Sequence, residues 1–134
     1  MEATRFSDFD VFLRRLKLTD EQPGQDLFVL DLTDIGEAAL EDFTAYRNDF
    51  YELNLWTGMH NFEFAVDGAF FRPAGNPGVC FVAPGQLQSF KVHDEDPDAV
   101  GYLMYIHRRL FGRLRELHPD ITFFERQNSS YYDI

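Results

Sequence analysis

The sequence predicts a mainly β domain, a small sandwich or barrel with one helix before it and one after it. Three observations carry that expectation. From about residue 27 to residue 106 the apolar side chains recur with period two, in short runs. The runs are separated by turn residues: Gly58, Asp67-Gly68, Pro73 to Gly78, and Pro84-Gly85. On either side of this span the apolar period becomes that of a helix.

The first helix is expected over 7–18. Ser7 is placed to cap it, Asp10 falls at the third helical position, and Phe6 with Val11 forms a hydrophobic staple. Phe9, Phe12, Leu13 and Leu16 then make one apolar stripe. Pro23 and Gly24 break the pattern within Asp20 to Asp26. Strands are expected at Leu27 to Leu32, Phe50 to Thr57, Asn61 to Val66, Phe70 to Arg72, Val79 to Ala83, Leu87 to Val92, and Tyr102 to Ile106. Their shortness and close spacing favour hairpins over βαβ units, and Asp67-Gly68 is a strong hairpin turn. The second helix is expected over Arg108 to Leu117, with Ile106, Leu110, Leu114 and Leu117 turned inward. His118-Pro119-Asp120 ends it, and Ile121 to Phe124 reads as a last extended segment. The tail carries no terminating signal, so the chain is expected to stop where a longer protein continues.

A length of 134 residues supports one core, so 1–134 is expected to be one domain. Fifteen Phe require large sockets, which excludes disorder for most of the chain. No apolar run approaches the roughly 20 residues of a membrane helix, and the N-terminus lacks the basic and apolar regions of a signal peptide. The expected location is therefore cytoplasmic. Cys80 stands alone, which fits that compartment and rules out an internal disulfide. The net charge of -11 opposes nucleic-acid binding by this chain, because counterion release needs a basic face.

Most catalytic patterns are missing. There is no phosphate-cradling Gly loop, no nucleophile elbow and no His-Glu-x-x-His. His60, His93, His107 and His118 stand at no metal-ligand spacing and read as solvated or capping residues. Cys80, between Val79 and Phe81, reads as a packing thiol. Asp94 to Asp98 reads as a solvated loop. The basic cluster Arg108, Arg109, Arg113 and Arg115 reads as a solvated helix face, with docking to another domain as its alternative.

Two segments are informative: Tyr46-Arg47-Asn48-Asp49-Phe50-Tyr51-Glu52-Leu53 with Gly58, and Gly78 to Gln88 with Pro84-Gly85-Gln86-Leu87-Gln88. In order and separation they resemble the two cupin motifs, in the form carried by the sensor domains of AraC-family transcription regulators. Gly101-Tyr102-Leu103-Met104 resembles the family's next strand, and the resemblance covers roughly residues 27 to 125. It implies a small cupin, or jelly-roll, barrel over about 27–106 with the two helices packed outside. The substitutions within the motifs decide the chemistry. Tyr46 and Asn48 occupy the two histidine positions of the first motif, and Gln88 occupies that of the second. Only Glu52 keeps a metal-competent type. Phenol and amide oxygens are poor ligands for first-row transition metals, so neither a metal nor another cofactor is expected.

Strand parity then sorts the lining. If the ligand positions of the resembled family point inward, Tyr46, Asn48, Glu52, Asn54 and Trp56 face the interior from one strand, and Gln88, Phe90 and Val92 from another. Tyr51, Leu53 and Leu55 take the opposite face, beneath the helices. Amides, a carboxylate, a phenol and an indole among apolar walls suit a small polar organic ligand, with a sugar as one example. Fifteen Phe could also fill the barrel and make the polar groups structural.

The leading functional expectation is an effector-binding sensor domain and not an enzyme. The resemblance implies a C-terminal helix-turn-helix DNA-binding domain in the full-length protein, absent from this chain, and a homodimer as its assembly. Two alternatives stay open. One is a free-standing, metal-independent cupin enzyme, a sugar isomerase or epimerase with Glu52 as base and Tyr46 as acid. The other is a filled barrel that serves protein interaction.

Overall fold

A computed structural model describes residues 3–7, 9, 12, 25–34, 43–94, 96–125 and 130–134. Among them run ten strands: β1 (Thr4–Phe6), β2 (Leu27–Asp31), β3 (Phe43–Asn48), β4 (Tyr51–Thr57), β5 (Phe62–Val66), β6 (Ala69–Phe71), β7 (Gly78–Val82), β8 (Gln88–Val92), β9 (Val100–Ile106) and β10 (Tyr131–Asp133). One helix, α1 (Arg108–Leu117), follows β9, and Phe9 and Phe12 are also helical.

The strands form two five-stranded sheets, β1-β3-β8-β5-β6 and β10-β7-β4-β9-β2. Within them, β3-β8-β5-β6 faces β2-β9-β4-β7, the strand order of a jelly roll. All pairings are antiparallel except β1 with β3. The sheets stay separate, so the domain is a sandwich and not a closed barrel.

Local chemistry explains the joints. Asp67 and Gly68 both take positive φ (49° and 83°), the conformation a two-residue hairpin demands between β5 and β6. β9 begins two residues earlier than its apolar pattern, at Val100, and pairs Gly101 with Trp56. A Cβ at Gly101 would come within 2.0 Å of the Leu55 carbonyl oxygen, and its φ of 155° is one that side chains avoid. In β3, Ala45 takes φ 51° at a bulge between Phe43 and Tyr46, which bends the strand and re-aims Tyr46.

Three strands lie outside the expected set: β1, β3 and β10. The expected extended segment Ile121 to Phe124 forms turns instead. Its rings pack from those turns: Phe123 stacks on Phe81 and Phe124 meets Phe111 edge-on. α1 has the expected bounds, and of its expected inward row Ile106 is buried and Leu110 and Leu114 are half-buried, but the face also takes in Phe111 and loses Leu117. Phe111 is buried and stacks on Tyr51 with centroids 3.8 Å apart, while Leu117 is 73% exposed. Leu55, expected under helices, is at the exposed border.

His107 caps α1, its Nδ1 accepting from the Arg109 N–H at 3.1 Å, and Arg109 pairs with Asp26 at 2.8 Å. Arg108 and Arg113 are exposed. Phe9 and Phe12 reach into an aromatic cluster between the sheets with Phe6, Tyr46, Phe50 and Tyr105. These two side chains therefore sit inside the sandwich, not on its outer face. Ser7, the expected cap, is exposed and outside regular structure, and the rest of the expected first helix, including Asp10, Val11, Leu13 and Leu16, lies outside the described residues.

Candidate functional site

The two sheets diverge around a cavity of about 490 Å³. Its closed end is made by β4, β7, β8 and β9. The corner Asp49-Phe50 carries the chain from β3 in one sheet to β4 in the other, so the five residues expected on one strand are split. Tyr46 and Asn48 belong to β3; Glu52, Asn54 and Trp56 belong to β4. Glu52, Asn54 and Trp56 share one face of β4, but of the two β3 residues only Tyr46 lines the cavity.

Glu52 is the centre of the site. It is 3% exposed, and its cross-strand neighbours are Val82 on β7 and Tyr105 on β9. Three amides donate to its carboxylate. Asn48 Nδ2 and Gln88 Nε2 (3.2 Å) both reach Oε1, and Asn54 Nδ2 reaches Oε2 at 3.5 Å. Tyr46 donates its hydroxyl to Gln88 Oε1 at 3.1 Å, which orients that amide with its N–H towards Glu52.

The turn after β7 sets Gln88 in place. Gly85 takes φ 84° and its N–H reaches the Asn48 carbonyl at 2.9 Å. Gln86 bridges the Ala83 N–H (2.8 Å) and the Asp67 carboxylate (2.9 Å), and Asp67 also accepts from the Leu87 N–H (2.9 Å). The hairpin tip of β5–β6 and the turn before β8 are thus one unit.

Burial dominates the electrostatics. It pushes the Glu52 carboxyl above its ordinary range, while Gln88, Asn48 and Asn54 pull the other way by hydrogen bonding the charged form. Burial also raises Tyr46, Tyr105 and Cys80, and the neighbouring Glu52 charge adds to each. These three groups stay neutral while Glu52 titrates.

Of the sequence-predicted residues, Tyr46, Glu52, Asn54, Trp56, Gln88 and Phe90 line the cavity, as does Val92. Asn48 does not. It is buried behind Glu52 as a donor to it, because the β3–β4 corner turns it away from the opening. Sequence reasoning missed Tyr105 and Leu103 on β9, Phe62, Phe64 and Val66 on β5, and Phe12. The register of β9 against β4 would have found Tyr105. Trp56 stands between Gly101 and Gly78 on its neighbouring strands, and Tyr131 of β10 stacks on the indole at 5.8 Å.

Thr33, Asp94 and Pro97 are lining residues that are also exposed, and they mark the opening. There Asp96 accepts from the backbone N–H groups of His60 (3.0 Å) and Asn61 (3.0 Å), which fixes the acidic loop against β5. Among the described residues no cationic side chain lines the cavity. Three buried polar atoms have no partner among the described residues: Asn48 Oδ1, Asn54 Oδ1 and Trp56 Nε1.

The metal centre of cupin-type motifs does not fit this set. One carboxylate remains, and the amides that replace imidazoles turn N–H groups, not lone pairs, towards it. Among the described residues no group of three His, Cys, Asp or Glu could hold an ion, and no helix is long and apolar enough to cross a membrane. No protein-family model, curated protein or solved structure matches the chain.

Proposed function

We propose that this domain is a ligand-sensing module that holds a small organic effector between its two sheets. One observation carries the reading: the wall of a cavity of about 490 Å³ includes the buried carboxylate of Glu52 and two residues, Asn54 and Trp56, each with a buried polar atom (Oδ1 and Nε1) that has no partner among the described residues. Ligand sites have this size and this mixture of apolar wall and few polar groups. Unsatisfied buried polar atoms are costly, and a ligand that pairs them recovers that cost on binding.

The wider setting is part of the proposal. It is the cytoplasmic sensor domain of an AraC-like regulator, with a helix-turn-helix domain in the full-length protein and a homodimer as its assembly. The resemblance of the Tyr46 to Leu53 and Gly78 to Gln88 segments supports this, as does the acidic charge, which leaves DNA contact to another part. Effector binding would then shift the population of arrangements between sensor and DNA-binding parts.

Recognition is favoured over turnover by one detail. Gln88 stands between Tyr46 and Glu52, so the phenol donates its hydrogen bond to an amide oxygen and not to the carboxylate that an acid–base pair would need. A thermal-shift screen of sugars, small acids and amines tests the reading. Wild type is expected to gain stability by mass action with one class, and Trp56→Ala to gain none. Failure of every class to stabilise wild type contradicts it. Salt-sensitive DNA binding by the 134-residue chain alone contradicts the division of labour.

A further inference from the structure

Resting on the reading of this cavity as a ligand site, we infer that its ligand is a protonated amine on an apolar, ring-sized body, with the ammonium group seated between Glu52 and Asn54. The charge inventory comes first. Glu52 lies at the closed end, Asp94 and Asp96 lie towards the opening, and no Lys, Arg or His lines the wall among the described residues. A carboxylate or phosphate ligand would meet like charge at both ends without a counter-charge. A cation gains at both.

The hydrogen-bond inventory points the same way. Glu52 Oε1 already accepts from Asn48 and Gln88, while Oε2 holds only one long contact, 3.5 Å from Asn54 Nδ2. Asn54 Oδ1, on the same strand face, has no partner. Two acceptors on neighbouring side chains are therefore short of donors among the described residues, and a group offering several N–H donors with a positive charge suits both. A sugar hydroxyl supplies one donor and no charge.

Trp56 Nε1 is the one buried side-chain donor without a partner among the described residues, on a residue 6% exposed. Trp56 stands two residues along β4 from Asn54, on the same strand face, with Cα atoms about 6–7 Å apart. A ligand acceptor such as a hydroxyl or carbonyl on the body that carries the ammonium would pair its N–H. The remaining wall is largely apolar and rich in rings, with Phe62, Phe64, Phe90 and Tyr105 among aliphatic residues such as Val66 and Leu103, which suits an apolar ring-sized body.

The test is a fragment library of ring-bearing compounds in matched triplets, such as 2-phenylethylammonium, 2-phenylethanol and phenylacetate. Ligand-observed NMR on the 134-residue chain finds the binders, and calorimetry ranks them. Ammonium members are expected to bind about tenfold or more tighter than their alcohols, the scale of one charged hydrogen bond, with carboxylates silent. Glu52→Gln is expected to remove the ammonium preference while alcohol binding persists. Asn54→Asp, which keeps Glu52 and adds a second carboxylate, is expected to increase it. Alcohols or carboxylates binding as tightly as ammonium compounds overturns the amine inference and leaves the pocket standing. Silence from all three classes overturns the pocket and the inference together.

Discussion

Gln88 and Glu52 meet across the gap between the two sheets, Nε2 donating to Oε1 at 3.2 Å. Gln88 belongs to β8 in one sheet and Glu52 to β4 in the other, so this bond ties the sandwich at the closed end of its cavity. Gln88→Leu leaves the carboxylate one donor short and takes the acceptor from Tyr46. The expected loss is about 2 kcal/mol of folding stability, read by urea denaturation with an unchanged m-value. A loss within about 0.5 kcal/mol would mean that the bond does not hold the sheets together.

The same carboxylate gives stability a pH dependence. Burial raises Glu52 above its value in the unfolded chain, so the folded protein holds the proton more tightly. That contribution is complete below the ordinary carboxyl range and is lost as pH rises through the raised value. The groups around it, Tyr46, Tyr105 and Cys80, are pushed further up and do not titrate in this window. Glu52→Gln removes the effect. The stability of the variant relative to wild type is therefore expected to rise between the acid range and neutrality, measured as paired chemical-denaturation curves. A difference that stays constant with pH contradicts the assignment.

Gly101 is required by contact as well as conformation. Its missing Cβ would overlap the Leu55 carbonyl and the Trp56 Cα, both backbone atoms of the central strand β4. Gly101→Ala is expected to cost about 2–4 kcal/mol. Gly68→Ala, at φ 83° with open space around it, is expected to cost about 1 kcal/mol. Thermal melts of the two variants should rank them in that order.

Phe111 holds the helix to the sheet. Phe111→Ala opens the stack on Tyr51 and is expected to cost about 3 kcal/mol. Leu117→Ala, at a largely exposed position, is expected to change stability by no more than about 0.5 kcal/mol. Equal effects would return the leucine row to the role its spacing implied.

Much of this was legible from pattern alone. The seven strands with clear alternation or turn boundaries were found because period two and Asp67-Gly68, Pro84-Gly85 are local signals. α1 was found with its bounds because an apolar row and His118-Pro119 bracket it. β3 was hidden by the Ala45 bulge, which breaks the alternation between Phe43 and Tyr46. β1 and β10 are three residues each and exist through backbone pairing with β3 and β7, which no residue pattern announces. At the site, parity placed Glu52, Asn54 and Trp56 on one face of β4. It could not place Asn48, whose direction depends on the corner at Asp49-Phe50, or Tyr105, which reaches Glu52 only through the β4–β9 register.

The central claim is that the space between the sheets receives a ligand, and Trp56 is placed to report it. It is the only tryptophan in the chain, it lines the cavity, and its indole N–H has no partner among the described residues. The most direct measurement is the Trp56 Hε1–Nε1 signal in a ¹H–¹⁵N spectrum, followed through titration with the charge-sorted fragments. A saturable shift of that single signal is the predicted result. A signal that stays fixed throughout the series, from a chain that remains folded, would contradict the account.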